Sequence, residues 1–118
     1  MEKILIDLDQ RGTRLIVTID GELDANTCLI ADKEFEKVLA ADAKVILIDC
    51  SNLHYISSAG IGVLISLHHS CTQTHTPVCF CNMQPKVKNV LDILGLDKVF
   101  VIKDSLEKAI ETAPVYKK

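Results

Sequence analysis

Asp49-Cys50-Ser51-Asn52-Leu53-His54-Tyr55-Ile56-Ser57-Ser58-Ala59-Gly60-Ile61-Gly62-Val63-Leu64 is the stretch that decides how this chain is read. The apolar run Val45-Ile46-Leu47-Ile48 feeds into it, and an apolar helical pattern follows. Apolarity on both faces of residues 44–49 marks a central, parallel strand. Ile61, Leu64, Ile65 and His68 fall at i, i+3, i+4 and i+7, so a helix begins near Ser58 and fades around Cys71-Thr72-Gln73-Thr74. Between strand and helix stand two serines and then two glycines one residue apart. A buried strand thus delivers a hydroxyl to the mouth of a helix, beside backbone without side chains, which suits a serine presented to another macromolecule.

Upstream, Ile4, Ile6 and Leu8 alternate with polar residues, as do Leu15, Val17 and Ile19. Residues 3–20 therefore read as a hairpin turning at Gln10-Arg11-Gly12. Asp20-Gly21-Glu22-Leu23-Asp24 reads as a loop. Asp24 or Asn26 is placed to cap a helix that sets Cys28, Phe35, Val38 and Leu39 on one face and leaves through Ala40-Ala41-Asp42.

Downstream, Pro77 opens the strand Val78-Cys79-Phe80-Cys81. Pro85 fits the first turn of a third helix with the stripe Val87, Val90, Leu91 and Leu94, ended by Gly95. Val99 to Ile102 form the last strand. Asp104 or Ser105 caps a final helix carrying Leu106, Ala109, Ile110 and Ala113, Pro114 stops it, and Val115–Lys118 is a tail. The order β-β-α-β-α-β-α-β-α predicts one α/β domain over residues 1–118, with a mixed, mostly parallel five-stranded sheet and about four helices. If the second and third strands are parallel, their C-terminal ends share an edge, where ligands of open α/β sheets approach. Glu22 and Asp24 would then flank Ser58.

Composition narrows the function. The chain has 118 residues, 48% hydrophobic and 25% charged, with a net charge of −3 and no basic stripe. A packed core is expected and nucleic acid is not the expected partner. No apolar run approaches the ~20 residues of a membrane span, and Met1–Asp7 lacks a signal-peptide layout, so a cytoplasmic location is expected. Cys28, Cys50, Cys71, Cys79 and Cys81 are odd in number and without CxxC spacing, which predicts reduced thiols rather than disulfides. Cys79 and Cys81 share a strand face directed into the core.

Other chemistry is less well supported. Ile56-Ser57-Ser58-Ala59-Gly60 is not the nucleophile elbow G-x-S-x-G. His68 and His69 lie ten or more residues beyond Ser58, ~15 Å along a helix at 1.5 Å per residue, and His54 has no evident orienting acid. Gly60-x-Gly62 lacks a P-loop lysine. His68, Cys71 and His75 would share a helical face only if the helix ran that far, and a polar helix end explains them equally well. No metal and no cofactor are expected. Asp49 and Ser51 can serve local backbone donors. Ser57 or Ser58 can be an N-cap. Each glycine inside a helix costs ~1 kcal/mol relative to alanine, so Gly60 and Gly62 imply close backbone approach, by internal packing or by a docking partner.

Three segments together resemble a known family. Gly21-Glu22-Leu23-Asp24, the signature-like Asp49-to-Leu64 stretch, and Leu91-x-x-Leu94-Gly95-Leu96-Asp97-Lys98-Val99-Phe100 are similar, in order and spacing, to the STAS domains of anti-sigma factor antagonists. Asp104-Ser105-Leu106-Glu107-Lys108-Ala109 fits their usual final helix. The resemblance implies that Ser58, two residues before the first glycine of G-x-G, is the phosphoacceptor. It also implies an anti-sigma factor partner, often a serine kinase of the GHKL type, bound while Ser58 is unphosphorylated so that a sigma factor is released, and a phosphatase that resets the switch. Many members carry aspartate immediately before the acceptor; here Ser57 stands there and offers a competing hydroxyl. The expected docking residues are Glu22, Asp24, Ser57, Ser58, Ala59, Gly60 and Gly62. The alternative is a STAS module that switches a phosphatase, kinase or sensory complex without sigma control. Oligomeric state is not legible.

Overall fold

The computed structural model describes residues 3–112. Strands β1 (Ile4–Arg11), β2 (Arg14–Leu23), β3 (Val45–Ile56), β4 (Val78–Cys81) and β5 (Val101–Lys103) form one sheet in the order β1-β2-β3-β4-β5. β1 and β2 are antiparallel, and the remaining neighbours are parallel. The helices are α1 (Cys28–Ala40), α2 (Ser58–Gln73), α3 (Pro85–Ile93) and α4 (Leu106–Thr112), with a single 3₁₀ turn at Leu96–Lys98.

Two cores flank the sheet. The larger gathers Val17, Ile19, Ile46, Ile48 and Phe80 from the strands with Phe35 and Val38 of α1, Leu64 and Leu67 of α2, and Val87 and Leu91 of α3. The smaller joins Ile16, Leu47, Cys79 and Cys81 to Ala109, with Leu106 and Ile110 of α4 against it. Helices α1 to α3 thus cover one face, while α4 serves the other. Each fully buried aliphatic or aromatic side chain contributes roughly 1.5–3 kcal/mol by leaving water, so the main core outweighs the minor one several-fold. Phe80 stacks on Phe100 with ring centroids 4.7 Å apart, and His68 of α2 lies 5.0 Å from the same ring.

Several elements differ from the sequence expectation. The predicted loop at Asp20–Asp24 is mostly strand, because β2 runs on to Leu23 between two partners. Gly21 makes this possible at φ +126°, where an added Cβ would sit 2.0 Å from the Lys3 carbonyl oxygen. Glu22 N donates to that same oxygen at 2.9 Å. Strand β3 continues to Ile56, well past residue 49, by accommodating two extra residues against β2, between the Thr18 and Asp20 pairings and between those of Gly21 and Glu22. Such bulges re-aim a strand end. Asp49 Oδ1 accepts from Ser51 N at 3.0 Å and from Asn82 Nδ2 at 3.1 Å, serving a bulged strand rather than a turn.

The first turn of α1 is capped differently too. Neither Asp24 nor Asn26 caps it; Thr27 holds the N-cap position without a side-chain cap bond. Leu39 and Ile65 fall off their helices' buried stripes, at 42% and 43% exposure, and Val63 and Leu67 are buried in the place of Ile65. Leu94 lies beyond α3 and Val99 lies before β5, and both are exposed. Pro85 does open α3, Gly95 turns the chain at φ +76°, and Ser105 Oγ accepts from Lys108 N at 3.1 Å. Ala113, Pro114 and the expected tail Val115–Lys118 lie outside the described residues.

Candidate partner-docking site

The parallel pairing of β2 and β3 brings their C-terminal ends together: Glu22 is in register with Tyr55, and Leu23 with Ile56. The Leu23 carbonyl is the pivot of the junction. It accepts from Ser57 N at 3.0 Å. It also lies where a Cβ on Gly60 would be, 2.3 Å from that ideal position, with Ile56 Cγ1 2.9 Å away on another side. Gly60 is therefore dictated by the closeness of α2 to β2. Gly62, exposed in the same helical turn, would meet nothing within 4 Å. The two glycines answer different needs, one internal and one outward.

The adjacent serines divide likewise. Ser57 is the N-cap of α2: its Oγ accepts from Gly60 N at 3.3 Å, its backbone oxygen accepts from Ile61 N at 2.9 Å, and it is half-buried. Capping of this kind is worth about 1 kcal/mol. Ser58 is the first helical residue, exposed, and its hydroxyl has no partner among the described residues. Ala59 beside it is also exposed. The free N–H groups and aligned dipoles of a helix N-terminus favour negative charge there.

The β2–α1 loop is held from within. Buried Thr27 donates its hydroxyl to the Glu22 carbonyl at 2.8 Å and accepts from Asp24 N at 3.0 Å. Asp24 Oδ1 accepts from Asn26 N at 2.9 Å and Thr27 N at 3.1 Å. Asp24 is thus half-buried and partly committed to its own loop, whereas the Glu22 carboxylate makes no bond among the described residues. On the other flank, Gln84 Nε2 donates to the Ser51 carbonyl at 2.9 Å and contacts His54 Nδ1 at 3.2 Å, which ties the start of α3 to the same edge.

The topology thus assembles Glu22, Asp24, Ser57, Ser58, Ala59, Gly60 and Gly62 along one edge, with Gly60 turned inward. Two apolar residues not singled out from sequence join the neighbourhood. Tyr55, half exposed, is in register with Glu22, and Leu29 stands 74% exposed in the first turn of α1. Leu29's signal was its position off the buried stripe of an amphipathic helix.

The histidines and cysteines go elsewhere. Helix α2 ends at Gln73 and His75 takes φ +57°, so His75 leaves the helical face of His68 and Cys71. Burial, aided by His69, lowers the His68 pKa. Burial raises the thiol of Cys71 to about 11 and that of Cys81, next to Asp49 and Cys79, to about 12. Cys50 is pushed higher still by burial, with Cys81 and Asp49 adding to it. Among the described residues no three of His, Cys, Asp and Glu group as metal ligands, and no helix is long and apolar enough to cross a membrane.

The sequence profile of the STAS domain matches residues 6–109. The chain belongs to the STAS domain family. An anti-sigma F factor antagonist of Paenibacillus polymyxa is 27% identical over 106 residues, covering 89% of this chain and 91% of that protein. The crystal structure of an anti-sigma factor antagonist from Mycobacterium paratuberculosis superposes with a TM-score of 0.85 at 21% identity, covering 93% of each chain. The phosphorylated form of SpoIIAA, a Bacillus cell fate determinant, gives a TM-score of 0.69 at 16% identity, covering 91% of this STAS domain and 97% of that chain.

Proposed function

We propose that this STAS protein is an anti-sigma factor antagonist, a cytoplasmic binding protein without catalysis of its own, switched by phosphorylation of Ser58. The observation that carries the reading is the division of labour at the start of α2. Ser57 Oγ is occupied as the cap, while the Ser58 hydroxyl is exposed and free on the edge shared with Glu22 and Asp24. Relatives named as antagonists, one at 27% identity over most of the chain, support the role, and the existence of a phosphorylated SpoIIAA of similar fold supports this kind of control.

In this reading the unphosphorylated edge docks an anti-sigma factor of the GHKL serine-kinase type, which phosphorylates Ser58, and a phosphatase restores it. A phosphoserine carries about −1.5 to −2 charges. At a helix N-terminus the phosphate is well accommodated, so the fold persists. The cost falls on the interface, where a desolvated dianion beside Glu22 and Asp24 meets no compensating charge. A loss of ~3–4 kcal/mol weakens binding by more than two decades.

The test is incubation with the GHKL-type anti-sigma kinase of the same organism and ATP, followed by peptide mass spectrometry. Phosphate is expected on Ser58 and absent from Ser58→Ala. Ser58→Asp is expected to lose partner affinity while its unfolding free energy stays within about 1 kcal/mol of wild type. Phosphate confined to Ser57, or a Ser58→Asp protein that binds normally, overturns the assignment.

A further inference from the structure

A groove of about 280 Å³ runs between α1 and α2, lined by Asp32, Phe35, Glu36, Leu39, Val63, Ser66, Leu67 and Ser70. Its floor is apolar: Phe35, Val63 and Leu67 are buried, and Leu39 is left partly exposed at the rim. One wall carries two carboxylates an α-helical turn apart, Asp32 and Glu36, both exposed and neither in an ion pair among the described residues. Lys37 of the same helix is turned to Glu34 at 3.0 Å. Like charges at i, i+4 destabilise a helix by a few tenths of a kcal/mol, so the pair opposes the stability of α1. The opposite wall presents the hydroxyls of Ser66 and Ser70, also a turn apart and without side-chain partners among the described residues. The volume lies at the lower limit of small-molecule pockets, about 300–1,000 Å³, and suits one long side chain rather than a cofactor.

We propose that this groove seats a lysine or arginine projecting from an amphipathic segment of a partner protein. The aliphatic stem lies over Phe35, Val63 and Leu67, and the cationic head sits between the Asp32 and Glu36 carboxylates and the Ser66 and Ser70 hydroxyls. Long cationic side chains bury their stems on apolar surface and keep their heads at polar rims, and this groove offers both parts with charge of the complementary sign. The groove also shares a face of α2 with Ala59, the neighbour of Ser58. Ala59, Val63, Ser66 and Ser70 recur at i, i+4, i+7 and i+11 along one face of α2, and Ser66 lies about 12 Å along the helix from Ser58 at 1.5 Å per residue. A single partner can therefore touch the phosphoacceptor and the groove together. This last step rests on the proposed function; the recognition of a cationic amphipathic segment does not.

The test uses the full chain and a synthetic helical peptide of leucine and lysine, with a leucine–glutamate peptide of the same pattern as control, followed by amide chemical-shift mapping. The lysine peptide is expected to shift Phe35, Val63, Leu67 and Ser70. The double change Asp32→Asn, Glu36→Gln is expected to weaken it at least tenfold. Ser66→Lys, which places the protein's own cation in the groove, is expected to block it. Ser58→Asp is expected to leave these shifts in place, which separates failure here from failure of the phosphorylation reading. Equal binding of the glutamate peptide, shifts confined to the Glu22–Asp24 loop, or full binding by both groove variants would overturn the proposal. The altered positions are on exposed helix surface, and matching thermal melts will show that the variants are folded.

Discussion

The inner and outer halves of the first turn of α2 lie within six consecutive residues, Ser57 to Gly62, yet behave as different materials. The inner half, Ser57 and Gly60, is clasped by the Leu23 carbonyl, which leaves no room for a methyl group on Gly60. The outer half, Ser58, Ala59 and Gly62, faces open space. A motif that reads as one unit in the sequence is thus two devices: an anchor that fixes the helix to the sheet, and a bare surface that the anchor holds out. Rigidity on one side is what makes presentation possible on the other.

Substituting the two glycines tests that division most severely. Gly60→Ala drives a methyl into backbone carbonyl and is expected to cost about 2–3 kcal/mol, as overpacked interiors do, measured by urea denaturation. The serines should differ by less. Ser57→Ala removes the cap and is expected to cost about 1 kcal/mol. Ser58→Ala is expected to fall within about 0.5 kcal/mol, as for surface changes. Equal losses at the two serines would merge the halves. Gly62→Ala meets no atom and gains helix propensity, so it is expected to stabilise the fold by up to about 1 kcal/mol, and calorimetry with the proposed kinase partner is expected to read weaker docking. A destabilised Gly62→Ala protein would place an unseen constraint on the outer half.

The mildest test contrasts the exposed edge with the interior through its thiols. Cys28, half exposed at the start of α1, is expected to react first with a disulfide reagent at pH 8, ahead of the buried Cys50, Cys71, Cys79 and Cys81. Burial holds the Cys71 and Cys81 thiols above their ordinary value near 9, at about 11 and 12. The folded protein therefore keeps protons that the unfolded chain releases. Their contribution to stability is complete below pH 9 and is lost as the pH rises through 11 and 12. Denaturation midpoints that hold constant from pH 8.5 to 10.5 would contradict this burial.

Much of this was legible in the sequence because local signals and tertiary needs agreed. Val45–Ile48 is apolar on both faces and is central; Pro85 and Ser105 punctuate their helices as their chemistry demands. What was hidden depended on partners far along the chain. Asp20-Gly21-Glu22 has loop composition, and only the neighbouring β1 and β3 make it strand. Ser51, Asn52 and His54 look like an exit loop, yet two bulges keep β3 paired through them. Thr27, to which no sequence pattern points, is buried and spends its hydroxyl on the Glu22 carbonyl and Asp24 N–H rather than on the helix. At the candidate site the sequence located the serines and glycines, but no local pattern distinguishes a glycine wedged against the Leu23 carbonyl from one in the open.

The strand order β1-β2-β3-β4-β5 has a consequence for how the chain reaches this state. Every strand pairs with the one made just before it, so none has to be threaded between two already in place. The sheet can grow from one side as the polypeptide leaves the ribosome, each crossover helix closing a short loop before the next begins. Contacts of modest sequence separation form quickly. The junction that presents Ser58 draws on β2, β3 and α2, so it can close without waiting for β4 and β5 to pair.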